Sequence, residues 1–356
     1  MKVIKILYSK KRFILGSVFI LLLIIFTIFI IYLISYRSEI VILNQANPTN
    51  PECLPVAAGG NCVRRLLDGV YVELGKENFQ PLAVMIENHP DARPPAGLAR
   101  ANLVYEAEAE AGITRFLAVY ASGEKIAQIG PVRSARSYFV DWVKELSALL
   151  IHCGGSPDSL AKIVKDRVFD LNEFYNGNYF WRDKDRLAPH NIYTSSQKLG
   201  QYLKENKASQ GNFFSWQFKD DLPLEERPLA TEINIFYKAP DFLVKWEYNR
   251  PSNRYQRYLA GKIHADQDGQ VITAKNVVIK YVSAAVVDKD LRLKMETTGS
   301  GKAIICLDGS CQTGSWRKQT DSSRSYFYND QMEEIKFNAG PTWIEVVRPE
   351  RVVNFK

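Results

Sequence analysis

Residues 13–35 read FILGSVFILLLIIFTIFIIYLIS, an apolar run without a single charge. As a helix rising about 1.5 Å per residue it covers ~30 Å of hydrocarbon, so it is expected to span a bilayer. Everything downstream must then fold on one side of a membrane. Lys2, Lys5, Lys10, Lys11 and Arg12 precede the run, and only Arg37 stands close behind it. That asymmetry of positive charge holds the N-terminus in the cytoplasm. The expected layout is a cytoplasmic basic tip at 1–12, a single-pass transmembrane helix at 13–35, a spacer at 36–55 and an extracytoplasmic remainder. A cleaved signal peptide fits less well, because its apolar core is about 7–15 residues long and ends at a small-x-small site. A lipidated cysteine fits no better, since the first cysteine, Cys53, follows Asn50-Pro51-Glu52 rather than the end of the apolar core.

The formal net charge is +7, but residues 1–37 hold six basic and no acidic residues, leaving +1 for the rest. A basic face for nucleic acid is therefore not expected.

Five cysteines suit an exported chain, where thiols pair. In AIICLDGSCQTG, an Asp308-Gly309 turn makes Leu307 and Ser310 the closing pair of a two-residue hairpin and sets Cys306 opposite Cys311. The Cα separation at such a position, about 4.5 Å, is within disulfide range. Cys53 and Cys62 flank LPVAAGGN and are expected to staple the start of the ectodomain. Cys153, inside ALLIHC, reads as a small buried hydrophobe rather than a nucleophile.

Two folded domains are expected, separated where residues 219–230 gather charge and proline. The first, 56–222, alternates strand-like segments (81–87, 102–110, 114–122, 125–132 and 148–153) with helix-like ones (138–146, 157–166 and 195–206). This is an α/β pattern, a mixed sheet with packed helices. The second, 231–356, carries short strand signals between Gly, Asn and Asp, which suggests a mainly antiparallel β domain, a sandwich or barrel. In NLVYEAEAE one strand face holds Leu103, Tyr105, Ala107 and Ala109, and the other holds Val104, Glu106, Glu108 and Glu110. The second face is acidic, and solvation on an edge strand explains it more simply than a shared cation; no metal site is expected.

Three segments are richer in ionisable groups than loops require: 85–101, with Glu87, Asn88 and His89; 111–142, with Arg115, Arg133 and Arg136; and 180–195, with Arg182, Arg186, His190 and Asn191. Gly130-Pro131 ends a strand and Ser137 can cap the following helix, so Arg133 and Arg136 fall in a strand-to-helix turn where free N–H groups favour an anion. The alternative is that these arginines pair with Glu87, Asp141 or the carboxylates of 106–110. His190, fixed behind Pro189, can act as an acid, a base or a hydrogen-bond donor. No metalloprotease, P-loop, nucleophile-elbow or dinucleotide motif is present, and no cofactor is expected.

Taken together, MIENHPDARPPAGL, VYEAEAEAGITRFLAVY, IGPVRSARSYFVDW, HCGGSP, RDKDRLAPHNIYTS, NVVIKY, GSGKAIICLDG, GSWRK and GPTWIEVV closely resemble the YerB-like family of predicted bacterial lipoproteins, over residues 81–347. The resemblance implies a two-domain extracytoplasmic protein, both halves of which are classed as domains of unknown function. It departs from that family in its transmembrane helix, which stands where lipoprotein members carry a lipidated cysteine, and in its extra cysteines. The expected function is a cell-envelope module that binds an anionic glycan, a peptidoglycan fragment or an envelope protein in a cleft lined by Arg115, Arg133, Arg136, Arg182, Arg186 and His190. The alternatives are an enzyme on anionic wall polymers, a phosphotransferase or hydrolase with Glu87 or His190 moving a proton, and a structural partner of cell-wall synthases.

Overall fold

The computed structural model describes residues 22–23, 25–30, 53–56, 59–121 and 123–356. The chain divides into two compact units, Met1–Pro48 and Thr49–Lys356. Most of the expected span and spacer lies outside the described residues; within the span, residues 22–23 and 25–30 are helical with apolar side chains exposed. Among the described residues no helix is long and apolar enough to cross a membrane.

In the second unit the first half supplies β1 (Leu82–Glu87), β2 (Leu103–Glu108), β3 (Thr114–Tyr120), β4 (Leu149–His152) and β5 (Asp170–Asn172), with helices α1 (Ser137–Lys144), α2 (Pro157–Lys165) and α3 (Ser196–Glu205). The helix starts follow sequence logic at α2, where Pro157 occupies a first-turn position that needs no donor, and at α3, where the Ser195 hydroxyl accepts from the Lys198 N–H. At α1 the cap is Arg136, extended and without a side-chain capping bond, rather than Ser137. The second half supplies β6 (Glu232–Phe236), β7 (Leu243–Asn249), β8 (Arg254–Leu259), β9 (Lys262–Ile263), β10 (Thr273–Ala274), β11 (Asn276–Tyr281), β12 (Gly299–Leu307), β13 (Ser310–Lys318), β14 (Tyr326–Tyr328), β15 (Thr342–Val347) and β16 (Val352–Phe355).

One ten-stranded sheet runs through both halves in the order β14-β13-β12-β11-β15-β2-β3-β1-β4-β5. The halves join where β15 pairs in parallel with β2, and β15 also runs parallel to β11. The second half is therefore not a self-contained antiparallel sandwich. NVVIK and TWIEVV are buried along their whole length, the near-continuous apolar run of a strand covered on both faces. A second sheet, β9-β8-β7-β6-β16 with β10 beside β8, packs on one face. Its Ile233, Val244, Trp246 and Tyr255 share a core with Leu82, Val84 and Ile86. On the opposite face Ala83 and Met85 meet Tyr138, Phe139 and Trp142 of α1.

Two further expectations change. The segment 125–132 is not a strand but an irregular stretch with isolated bridges at Ile129, Gly130 and Val132. Pro131 has no N–H to offer, and Gly130 sits at φ +150°, where an added Cβ would come 2.8 Å from the Ile192 carbonyl oxygen. Nor is the acidic face of β2 solvated at an edge: β2 lies inside the sheet, and Glu106 and Glu108 are buried. Arg257 of β8 reaches down from the second sheet to pair with Glu106, inside a cage of Phe116, Trp246 and Trp343. Glu108 receives Arg351, with an Nε–Oε1 distance of 2.6 Å. Both pairs tie the first half to the second, which is why no edge is needed to explain the charges.

Both disulfides, Cys53–Cys62 and Cys306–Cys311, are formed, the latter at a Cα separation of 4.1 Å across the hairpin of β12 and β13. Cys153 is free and buried.

Candidate functional site

Strands β1, β4 and β5 run parallel, so their carboxyl ends deliver Glu87-Asn88-His89, His152-Cys153-Gly154 and Asn172-Glu173 to one end of the sheet. That is where loops over an open α/β sheet gather ligands. Two longer connections close over it, 131–136 leading into α1 and 180–191.

Glu87 is the hub. Its buried carboxylate accepts from Arg133 Nε at 2.8 Å on one oxygen and from His190 Nδ1 at 2.8 Å on the other. The imidazole of His89 stacks on that of His190, with centroids 5.0 Å apart and planes 16° off parallel. Four of the expected residues thus meet. Arg115, across from Glu87 in the β1–β3 register, turns instead to Glu110 at 3.0 Å, which also takes Arg136 Nη2 at 2.6 Å. Burial pushes the Glu110 carboxyl up, but the two guanidiniums outweigh it and hold the group below its ordinary range.

The remaining expected residues are framework. Asn88 points inward, donating to Thr114 Oγ1 at 2.7 Å while its carbonyl groups hold Arg93. Arg186 staples the two loops together through the carbonyls of Ala92 (2.7 Å) and Pro94 (2.8 Å). Arg182 lies further out, between Asn191 Oδ1 at 3.2 Å and Glu173 at 3.1 Å. Asn191 clasps its own loop through the carbonyls of Asp183 and Arg186. Asp141, a candidate partner for the arginines, pairs with Lys162 at 2.7 Å instead. Cys153 is no nucleophile: burial, with Glu173 beside it, pushes its thiol up to about 11.

The arginines therefore enter as ion pairs rather than as bare charges. Arg115, Arg133 and Arg136 share the two carboxylates Glu87 and Glu110, so one guanidinium charge is in excess. Phe174, Tyr175 and Leu187, exposed on the same loops, were not singled out in the sequence; Phe174 sits against Gly154, where a Cβ would come 2.7 Å from its ring. Asp91, exposed beside His89, was likewise missed.

Two family profiles match this chain: the N-terminal domain of "Protein of unknown function (DUF3048)" over residues 67–209, and its C-terminal domain over 233–344. The chain belongs to the DUF3048 family. Among its relatives is the Bacillus subtilis (strain 168) protein "Putative lipoprotein YerB", 30% identical over 298 residues, 79% of this chain and 85% of the relative. The crystal structure of the Bacillus subtilis YerB protein superposes with a TM-score of 0.72 at 27% identity, covering 82% of this chain and 99% of that one. The expected YerB-like membership thus holds. The two family segments meet inside one sheet, at the pairing of β2 with β15.

Proposed function

We propose that the chain is a membrane-anchored extracytoplasmic protein of the cell envelope that binds an anionic envelope ligand at the carboxyl ends of β1, β4 and β5. The apolar run at 13–35 anchors it, with the N-terminus in the cytoplasm. The relative's name, a lipoprotein, supports the location by another anchor. The observation that carries the ligand reading is the excess guanidinium among Arg115, Arg133 and Arg136, of which Arg133 shares Glu87 with His190, with Phe174, Tyr175 and Leu187 exposed on loops at the same end of the sheet. Aromatic and aliphatic surface beside fixed polar groups suits a sugar bearing carboxylate or phosphate.

The test is calorimetric titration of the full chain in detergent with soluble peptidoglycan fragments and with polyglycerol phosphate. Arg133→Ala and Arg136→Ala should each weaken binding about 10- to 100-fold, the loss of one charge-assisted hydrogen bond worth about 1.5–3 kcal/mol. Cleavage or transfer products in the same mixture would favour the enzymatic alternative, with the His190–Glu87 pair as proton carrier. No binding of either polymer by the wild type would remove the reading.

A further inference from the structure

His89, Asp91 and His190 each place one potential ligand atom within 4.8 Å of the other two. The histidines come from loops a hundred residues apart, and each loop is pinned. Arg93 locks the turn after β1 onto Asn88, with Nε to Oδ1 at 3.1 Å and Nη2 to the carbonyl oxygen at 2.9 Å. Arg186 then fastens the second loop to the first. Such bracing is more than a pair of surface histidines needs, and it holds their rings face to face.

The surroundings of His190 fix its tautomer. The Glu87 carboxylate accepts the Nδ1 proton at 2.8 Å, which leaves the Nε2 lone pair free. A buried carboxylate behind an imidazole is the arrangement that orients a histidine for a metal and raises its basicity. Arg133 on the other Glu87 oxygen keeps that carboxylate in place. Asp91 adds an exposed carboxylate, with Oδ2 3.5 Å from His89 Nδ1.

We propose that His89, Asp91 and His190 bind a divalent transition-metal ion, with Zn²⁺ as the reference case, and that Glu87 positions His190 for it. Two imidazoles and one carboxylate suit Zn²⁺ and its neighbours rather than Mg²⁺ or Ca²⁺, which take oxygen ligands. Three protein ligands leave coordination positions open to water or to an anionic group. Rings only 16° from parallel cannot both aim an in-plane lone pair at one ion, so one of them turns on binding. His89 turns: its side chain is 34% exposed, against 16% for His190, which Glu87 also holds. The proposal stands apart from the polymer-binding reading, because the ion binds whether or not the arginines take a ligand.

The experiment uses the full chain in detergent, purified without a polyhistidine tag, stripped with chelator and then dialysed against Zn²⁺; a parallel titration with Co²⁺ reads ligand-field absorption. One equivalent of Zn²⁺ is expected, lost in both His89→Ala and His190→Ala, with Glu87→Gln weakening affinity about 10- to 100-fold. His89 lies at the surface, so its variant keeps the fold even if removing His190 disturbs Glu87. Wild type that retains no Zn²⁺, or alanine variants that bind it as the wild type does, overturns the proposal.

Discussion

Arg257→Met tests what joins the two halves. Arg257 and Glu106 are both fully buried, with Arg257 Nε 3.9 Å from Glu345 Oε1 as well. Glu345 faces Glu106 across the parallel β2–β15 register and accepts from Tyr237 and Trp246 at 2.9 Å each. Methionine keeps most of the volume but leaves two carboxylates side by side without the cation that pairs with both. Breaking a buried pair by removing one partner costs about 3–5 kcal/mol. Unfolding entropy near 2.1 cal/mol/K per residue over roughly 300 residues comes to about 0.6 kcal/mol/K, so the midpoint should fall by about 5–8 °C. The pH dependence gives a second reading. Burial, and then Glu106, already raise the Glu345 carboxyl in the wild type. A carboxyl raised in the folded state contributes most below its unfolded pKa, and that stability is lost as pH rises toward the folded value. Without Arg257 the Glu345 carboxyl rises further, so the deficit should be larger at pH 8 than at pH 5.5, and Glu106→Gln in the same chain should recover much of it. Thermal unfolding followed by circular dichroism measures both variants against the wild type. A fall under about 2 °C at pH 8, or a deficit that does not grow with pH, would refute the argument.

Three further outcomes are expected. A reporter fused after residue 45 should work only outside the cytoplasm, and the mature protein should keep its first 35 residues; an N-terminus near residue 36 contradicts this. Non-reducing peptide mapping should recover Cys53–Cys62 and Cys306–Cys311, each closing a short loop and so adding at most the ~2–4 kcal/mol typical of a disulfide, with Cys153 alkylated only after denaturation. Rapid native labelling of Cys306 contradicts that. Burial pushes the Lys280 amine down to about 7, so the folded state resists protonation and stability is withheld at neutral pH and regained toward pH 10. Lys280→Met should therefore raise the melting midpoint by several degrees at pH 7 and by less at pH 9.5; a midpoint lowered at pH 7 shows that the amine's bond to Ser325 Oγ, at 2.9 Å, outweighs its burial.

Local signals in the sequence were read well because they depend on neighbours along the chain. The Asp308-Gly309 turn sets the register that puts Cys306 opposite Cys311, and this needs nothing outside residues 303–314. Ser195 and Pro157 mark helix starts for the same reason. What was not legible depends on partners far along the chain. Glu106 and Glu108 look like a solvated face until Arg257 and Arg351, some 150 and 240 residues on, are brought to them. The union of the halves in one sheet was hidden similarly: NVVIKY and TWIEVV are as apolar as parallel strands need to be, but nothing local says that the second pairs with NLVYEAE.

The same limit governs the site. Glu87, Arg133 and His190 could each be suspected from loop composition, yet only the fold makes Glu87 the common acceptor of the other two. That single bond pattern changes the chemistry on offer. An arginine cluster read from sequence suggests bare positive charge, whereas here Arg115, Arg133 and Arg136 each already have a carboxylate, and an incoming anion must compete with Glu87 or Glu110 for them. Competition of that kind favours a ligand that brings several anionic groups at once, since each exchange of a carboxylate for a ligand oxygen is close to neutral and only the excess charge drives binding. A polymer with repeated carboxylates or phosphates meets that requirement better than a small monovalent anion does, and the binding strength should fall as the polymer is shortened.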